Sequence, residues 1–445
     1  MEPLPQGRGA MNPLIIVDAI LLTLLLVIGV PVPLCFAGAV LVLMLFGDLG
    51  AATFLIGAGY AKMSSLVIIA IPLYILAGGI MSQGGIAGRL VDLADSIFGR
   101  TRGGLGIVVI IATAVFGAIS GMASSAVAAI GTIMIPRMEE RGYDRGYATA
   151  LVSASAVLAL LIPPSASMIL YGWVTGTSIL ACFLAPVLPG LLLCAFLGFW
   201  NYVLTRKMKL IEPEKVSGKE FVRQVASRTK RAGFGLAMPL IILGFIYGGV
   251  TTPTEAAAVA VVYAVPVSLY IYRDINWRDL GEVFWRAGQT TGVLLVLIFF
   301  AAMLARVWTM ENVPQQIMDG FLTISDEPIV LLLLANLFLM VIGMFMEDVS
   351  GILLASPLLM PVMLQAGVDP IHFAAIIATT LGMGLITPPT APILYFAALI
   401  GKTSLGPMLK PSLVFVFLAY MPVVLLTTFI PGLSMALPRL VLGLP

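Results

Sequence analysis

The chain has few charges. Across 445 residues, Asp, Glu, Lys and Arg make up 10% and hydrophobic residues 60%, too little polar surface to coat a water-soluble globule of this size. There is one histidine, His372, and no HExxH motif. No cysteines stand at metal-ligand spacing, and no serine is paired with an obvious base, so an intramembrane enzyme is the least favoured class. The three cysteines, Cys35, Cys182 and Cys194, lie in apolar runs without CxxC spacing and read as packing residues. No basic patch is interleaved with aromatics, which argues against nucleic-acid recognition. Gly401-Lys402-Thr403 is no phosphate loop, because Phe396 stands where the earlier glycine is required. Met1 to Asn12 lacks the basic region and small-residue cleavage site of a secretory signal and reads as a short retained lead-in.

What the chain has instead is long apolar runs. They occupy 14–30, 33–47, 66–83, 147–175, 178–204, 234–250, 255–272, 290–308, 371–400 and 411–430. Most have the roughly 17–25 residues that a helix needs to cross a bilayer. The fold class expected is an all-α polytopic membrane protein with ten spans.

Two further runs do not fit the single-span rule. Residues 104–135 would make a helix of about 48 Å, too long for one crossing and too short for two with a turn. They read as a re-entrant hairpin with its tip at Gly117–Ser125, where glycines permit a turn and hydroxyls can satisfy freed backbone groups. Residues 328–360 form a second hairpin, with Glu347 and Asp348 near its middle. Each acid would cost about 2.5–3.5 kcal/mol at the centre of a lipid-exposed helix and so needs water, a partner or an ion.

The same landmarks follow both hairpins. Pro136 precedes Gly142 by 6 residues and Pro163 by 27, and Pro361 precedes Gly367 and Pro388 by the same intervals. Ile162-Pro163-Pro164-Ser165 is matched by Thr387-Pro388-Pro389-Thr390, Asp48-Leu49-Gly50 by Asp279-Leu280-Gly281, and Thr177-Ser178 by Thr403-Ser404. The shared spacing indicates an internal repeat. Charges then orient the copies. Arg137, Arg141 and Arg145 follow the first hairpin, whereas 361–370 has no lysine or arginine. Arg100 and Arg102 precede the first hairpin, against Asp326 and Glu327 before the second, and Arg273, Arg278 and Arg286 occur in the second copy only. Under the positive-inside rule the copies are inverted in the membrane, with the connector 205–231 cytoplasmic and both termini outside.

The expected organisation is a lead-in at 1–13 and a first repeat at 14–204, with scaffold helices 14–47, hairpin 104–135 and broken helix 147–175. The basic connector 205–231 follows. The second, inverted repeat spans 232–436, with scaffold helices 234–272, hairpin 328–360 and broken helix 371–400, and 437–445 is a tail. Amphipathic stretches near 50–62 and 278–289 are expected to dock scaffold against mobile unit.

Where a helix breaks inside a bilayer, carbonyls at one half-helix end and amides at the other become ligands for cations and anions. Proline strengthens this by removing an amide hydrogen and freeing a carbonyl about four residues earlier. Ser120, Gly121, Ser124 and Ser125 are expected to face Pro163, Pro164 and Ser165. Asp348, Ser350 and Gly351 are expected to face Gly384, Thr387, Pro388 and Thr390. Such oxygens suit a weakly held sodium ion.

Four segments in order, Gly117-Ala118-Ile119-Ser120-Gly121, Ile162-Pro163-Pro164-Ser165, Gly249-Val250-Thr251-Thr252-Pro253-Thr254-Glu255-Ala256 and Gly384-Leu385-Ile386-Thr387-Pro388-Pro389, resemble the large membrane subunit of tripartite ATP-independent periplasmic (TRAP) transporters. The resemblance runs from about residue 12 to 436. It implies an elevator-type, sodium-driven importer in the bacterial cytoplasmic membrane. It further implies a separate small four-helix membrane subunit, a soluble periplasmic binding protein and a small organic-acid substrate. The chain departs from the family pattern at Met122, where the family usually has serine, at Ala159, where glycine is common, and at Ala391-Pro392. A stand-alone sodium- or proton-coupled anion symporter, needing no binding protein, is the alternative.

Overall fold

A computed structural model describes residues 12–47, 52–211 and 217–443. Asp48-Leu49-Gly50, Lys215, the lead-in before Asn12 and the last two residues of the tail lie outside the described residues. All regular structure among the described residues is helical.

Every expected span falls on helix. Among the described residues, eight helices are long and apolar enough to cross a membrane, and nine if the bent pair Arg145–Leu161 and Ala166–Thr175 counts as one. The shorter apolar helices Pro13–Ile28, Val32–Phe46 and Pro370–Gly384 account for the remaining expected spans. The long helices differ from expectation at their ends. Helix Gly218–Tyr247 begins inside the connector, so its basic second half is helical. Trp277–Met310 fuses the amphipathic stretch 278–289 to the following span in one helix of 34 residues. Helix Pro431–Leu442 takes in the start of the expected tail. Two amphipathic helices, Ile86–Phe98 and Val313–Ile324, were not anticipated; each precedes a hairpin.

Local structure repeats along the chain at an offset of 225 residues. Helices Ala123–Glu140 and Asp348–Gln365 each have 18 residues, and each is followed by a left-handed glycine, Gly142 or Gly367. Asp144 and Asp369 then cap the next helix, their carboxylates accepting from the amides of Tyr147 (2.9 Å) and Ile371 (2.7 Å). The Pro163-Pro164 and Pro388-Pro389 bonds are both cis.

The two broken helices pack against each other in opposite directions. Arg145, at the start of the first, donates from Nε to the carbonyl of Gly401 just past the end of the second (2.6 Å). Tyr171, near the end of the first, donates its hydroxyl to the carbonyl of Pro370 at the start of the second (2.6 Å). They cross where Val157 fills the space left by the missing side chain of Gly382. Val157 and Gly382 are equivalent positions, so the contacts are reciprocal, as in a two-fold interface. Each broken helix also lays its second segment on the hairpin of the other half: Ala166–Thr175 on Asp348–Gln365, and Pro392–Ile400 on Ala123–Glu140.

Around this central unit stands a frame. Trp277–Met310 packs on Val32–Phe46, Ala52–Met63 and Leu66–Gln83, and Pro253–Pro266 packs on Ala70–Gln83. A buried polar contact ties the first helix to the frame, with Trp308 Nε1 donating to Asp18 Oδ2 at 3.0 Å. The three cysteines are free, Cys35 and Cys182 buried and Cys194 half-buried, in keeping with a packing role.

Candidate functional site

In the first half, helix Gly104–Ser120 stops because Gly121 turns left-handed, at φ +63°. Glycine adopts that conformation at no steric cost. Met122 is extended, and the chain re-enters helix at Ala123. The turn meets the proline break directly: the Gly121 carbonyl accepts from the Ala166 amide at 3.3 Å. A methyl group on Gly121 would lie 3.0 Å from the Pro164 carbonyl oxygen. Ser120, Gly121, Pro163 and Ser165 are therefore brought together, all buried. The hydroxyls of Ser120 and Ser165 are buried with no hydrogen-bond partner, a costly state for polar groups away from water. Ser124 and Ser125 lie half-buried in the first turn of the next helix.

Gly117 lets the hairpin approach the broken helix, since a side chain there would strike the Ala159 backbone. Ala159, where a glycine is common in the family resembled, is tolerated because the facing residue is glycine. Gly78, which the sequence reading passed over, lies across Ser120: a methyl on it would stand 2.9 Å from the Ser120 Cα. Its signal was the Gly78-Gly79 pair inside an apolar span, the small-residue pattern of close helix approach.

In the second half, hairpin helix Pro328–Phe345 ends at an extended Met346, and Asp348 opens the next helix. Gly343 and Gly384 pack backbone to backbone; a methyl on Gly384 would come 2.7 Å from the Gly343 Cα. Gly351 packs on the Leu381 side chain. Thr390, half-buried, donates its hydroxyl to the Met344 carbonyl, so this proline break also meets its hairpin tip. Thr387, beside the half-buried Pro388, donates to the Met383 carbonyl in its own helix at 2.6 Å. Ser350 donates to the Glu347 carbonyl at 3.0 Å.

Asp348 is tied to the other half: its carboxylate is buried and accepts a hydrogen bond from Ser167 in the first broken helix. The reason is the reciprocal packing, which lays Ala166–Thr175 on the hairpin helix that begins at Asp348. Glu347 points out and is exposed. Ala391 is left-handed, at φ +36°, and Pro392 starts the following helix. The equivalent Ala166 is an ordinary helical residue behind an extended Ser165. His372 stands in the first turn of helix Pro370–Gly384 and is buried, its Nε2 2.7 Å from the Thr427 carbonyl oxygen.

Among the described residues, no three of His, Cys, Asp and Glu come together as a metal cluster. Both breaks bring helix ends and hydroxyl residues together, and at the first the unpartnered Ser120 and Ser165 hydroxyls are neutral oxygens that suit a hard cation.

The family model described as the DctM component of the tripartite ATP-independent periplasmic transporter matches residues 19–433. The chain is 37% identical to the C4-dicarboxylate TRAP transporter large permease protein DctM of Pseudomonas aeruginosa, over 84% of this chain and 86% of that protein. It is 34% identical to the sialic acid TRAP transporter large permease protein SiaM of Vibrio cholerae, over 86% and 88%. Among solved structures, the YdaH transporter of Alcanivorax borkumensis shares the fold, with a TM-score of 0.61, 15% identity, and 86% of this chain and 89% of that one covered.

Proposed function

This chain belongs to the DctM family of tripartite ATP-independent periplasmic transporters, multi-span permease subunits rather than enzymes, and we propose that it serves a sodium-driven importer of a small organic acid. A periplasmic binding protein delivers the solute, and a small four-helix membrane subunit completes the membrane part. The C4-dicarboxylate and sialic acid named for two relatives are both carboxylates, and the solute here is of that chemistry.

The observation that carries the sodium reading is the junction of the Gly121 and Pro163-Pro164 breaks, where the Ser120 and Ser165 hydroxyls are buried without partners beside two helix ends. A sodium ion there takes both hydroxyls and nearby carbonyls as ligands. The two hairpins and the two broken helices form one packed unit, and its movement against the surrounding frame exchanges access between the two sides. The connector 205–231 is cytoplasmic and both termini are periplasmic, in a bacterial cytoplasmic membrane. One net charge entering down 100 mV gains about 2.3 kcal/mol, roughly fiftyfold in accumulation.

Thermal unfolding of the purified chain in detergent tests this, with sodium compared against potassium or choline chloride at matched ionic strength. The expected result is a saturable rise in Tm with sodium, lost in Ser120→Ala. No shift with any monovalent cation would remove sodium from the proposal.

A further inference from the structure

A cavity of about 810 Å³ lies between the frame and the central unit. One wall is formed by Ala52–Met63 and Trp277–Met310 of the frame, the other by Trp173 of the first broken helix and by Leu353 and Pro357 of the second hairpin. Two cations line it, Lys62 and Arg306, and no acidic residue does. The ion pairs among the described residues use Arg89, Arg137, Arg145, Arg223, Arg228 and Arg286, and neither cavity cation takes part in one. Each rests on an aromatic face instead. Lys62 Nζ is 4.8 Å from the centre of the Trp173 ring, and the Arg306 guanidinium is 5.1 Å from that of Phe54. Thr53, Ser65 and Thr309 line the same space.

Both residues are exposed and line this space, so an anion entering it meets two cations and no carboxylate. A cation resting on a ring gives up little when an anion arrives, since a charge-assisted hydrogen bond is the stronger contact. Arg306 can grip a carboxylate with two parallel N–H donors, and Lys62 supplies a second point charge on a different helix. We infer that Lys62 and Arg306 form the recognition pair for a small dicarboxylate, one carboxylate to each. This rests on the proposed function for the identity of the cavity as the solute's path.

The arrangement has a transport consequence. Both cations stand on the frame and the facing wall belongs to the central unit, so the pull on the anion is set by how the two are placed. It falls as the central unit shifts away, which favours release on the other side. Lys62 also touches the central unit through Trp173, whose Nε1 donates to Ser65 on the frame at 3.1 Å. An anion that takes Lys62 off the ring loosens that contact.

The test is equilibrium binding of succinate, malate and fumarate to the purified full chain in sodium chloride, read by calorimetry, with butyrate and succinamide as single-charge and neutral probes. At least one dicarboxylate should bind saturably, and butyrate more weakly. Lys62→Gln and Arg306→Gln should each lower affinity by about tenfold, the cost of one charge-assisted hydrogen bond. Lys230→Gln, outside this cavity, should leave it unchanged. Sodium-dependent stabilisation should survive in both cavity variants, showing that they fold. No binding of any of the three dicarboxylates, or equal affinity in wild type and both cavity variants, overturns the inference. A wild type that binds succinate through this pair but shows no sodium shift overturns the sodium reading and leaves this one standing.

Discussion

The two proline breaks occupy equivalent places in the chain and differ in what they leave free. At the first, Ser120 and Ser165 are buried with unpartnered hydroxyls. At the second, Thr387 and Thr390 donate theirs to the carbonyls of Met383 and Met344. The first hairpin turns on a left-handed glycine, the second on an extended methionine. The second carries the buried acid, but Asp348 directs it at Ser167 in the first half. One repeated backbone plan thus supports two chemically different junctions: an open oxygen cluster at the first, and at the second a self-satisfied break that also pins the halves together.

The largest expected effect probes the hydroxyls. Ser120→Ala and Ser165→Ala should each remove most of the sodium-dependent stabilisation, up to about 2.7 kcal/mol at a sodium concentration one hundred times Kd. Thr390→Val should remove less, because its hydroxyl is already engaged. Equal losses in sodium titrations of Tm would erase the distinction between the breaks.

Packing comes next. Gly384→Ala forces a methyl against Gly343 and should cost about 1–3 kcal/mol. Ala159→Gly, at the equivalent position of the first half, should cost only about 0.5–1 kcal/mol, the ordinary helix penalty of glycine. Denaturation midpoints in detergent separate the two, and a harmless Gly384→Ala would mean that the helices can part.

The bridge between halves follows. Ser167→Ala leaves the Asp348 carboxylate without its side-chain partner at a buried position and should cost about 1–3 kcal/mol. The double variant Ser167→Ala with Asp348→Leu, which removes both polar groups, should recover part of that loss. If the double change is the sum of the single ones, the two residues do not act as a pair.

The smallest expected effect changes sign between the halves. Ala391 holds a left-handed conformation that costs an L-residue about 1–2 kcal/mol, so Ala391→Gly should stabilise by about 1 kcal/mol. Ala166→Gly, in an ordinary helical position, should destabilise by about 0.5–1 kcal/mol. Matching signs would show that the Ala391-Pro392 departure leaves the second break unstrained.

Much of the architecture was legible in the residues. Apolar run lengths place the helices, because crossing a bilayer sets a minimum length that most segments meet alone. Gly121 and the two Pro-Pro pairs mark the breaks, because φ preference and a missing amide act within a few residues. Ile86–Phe98 and Val313–Ile324 escaped notice because short amphipathic helices carry no bilayer-length signal.

Length, composition and the spacing of prolines and glycines by themselves determined that this is a helical membrane protein with two hairpins and two proline-broken helices in one shared register, since each of these is a local property of the chain. Tertiary structure alone decided three things. The broken helices cross at Val157 and Gly382, Asp348 answers to Ser167 across 181 residues, and Lys62 and Arg306 share one cavity without a counter-charge. Those contacts arise from how segments far apart in the chain lie on one another, and local preference carries no information about that distance.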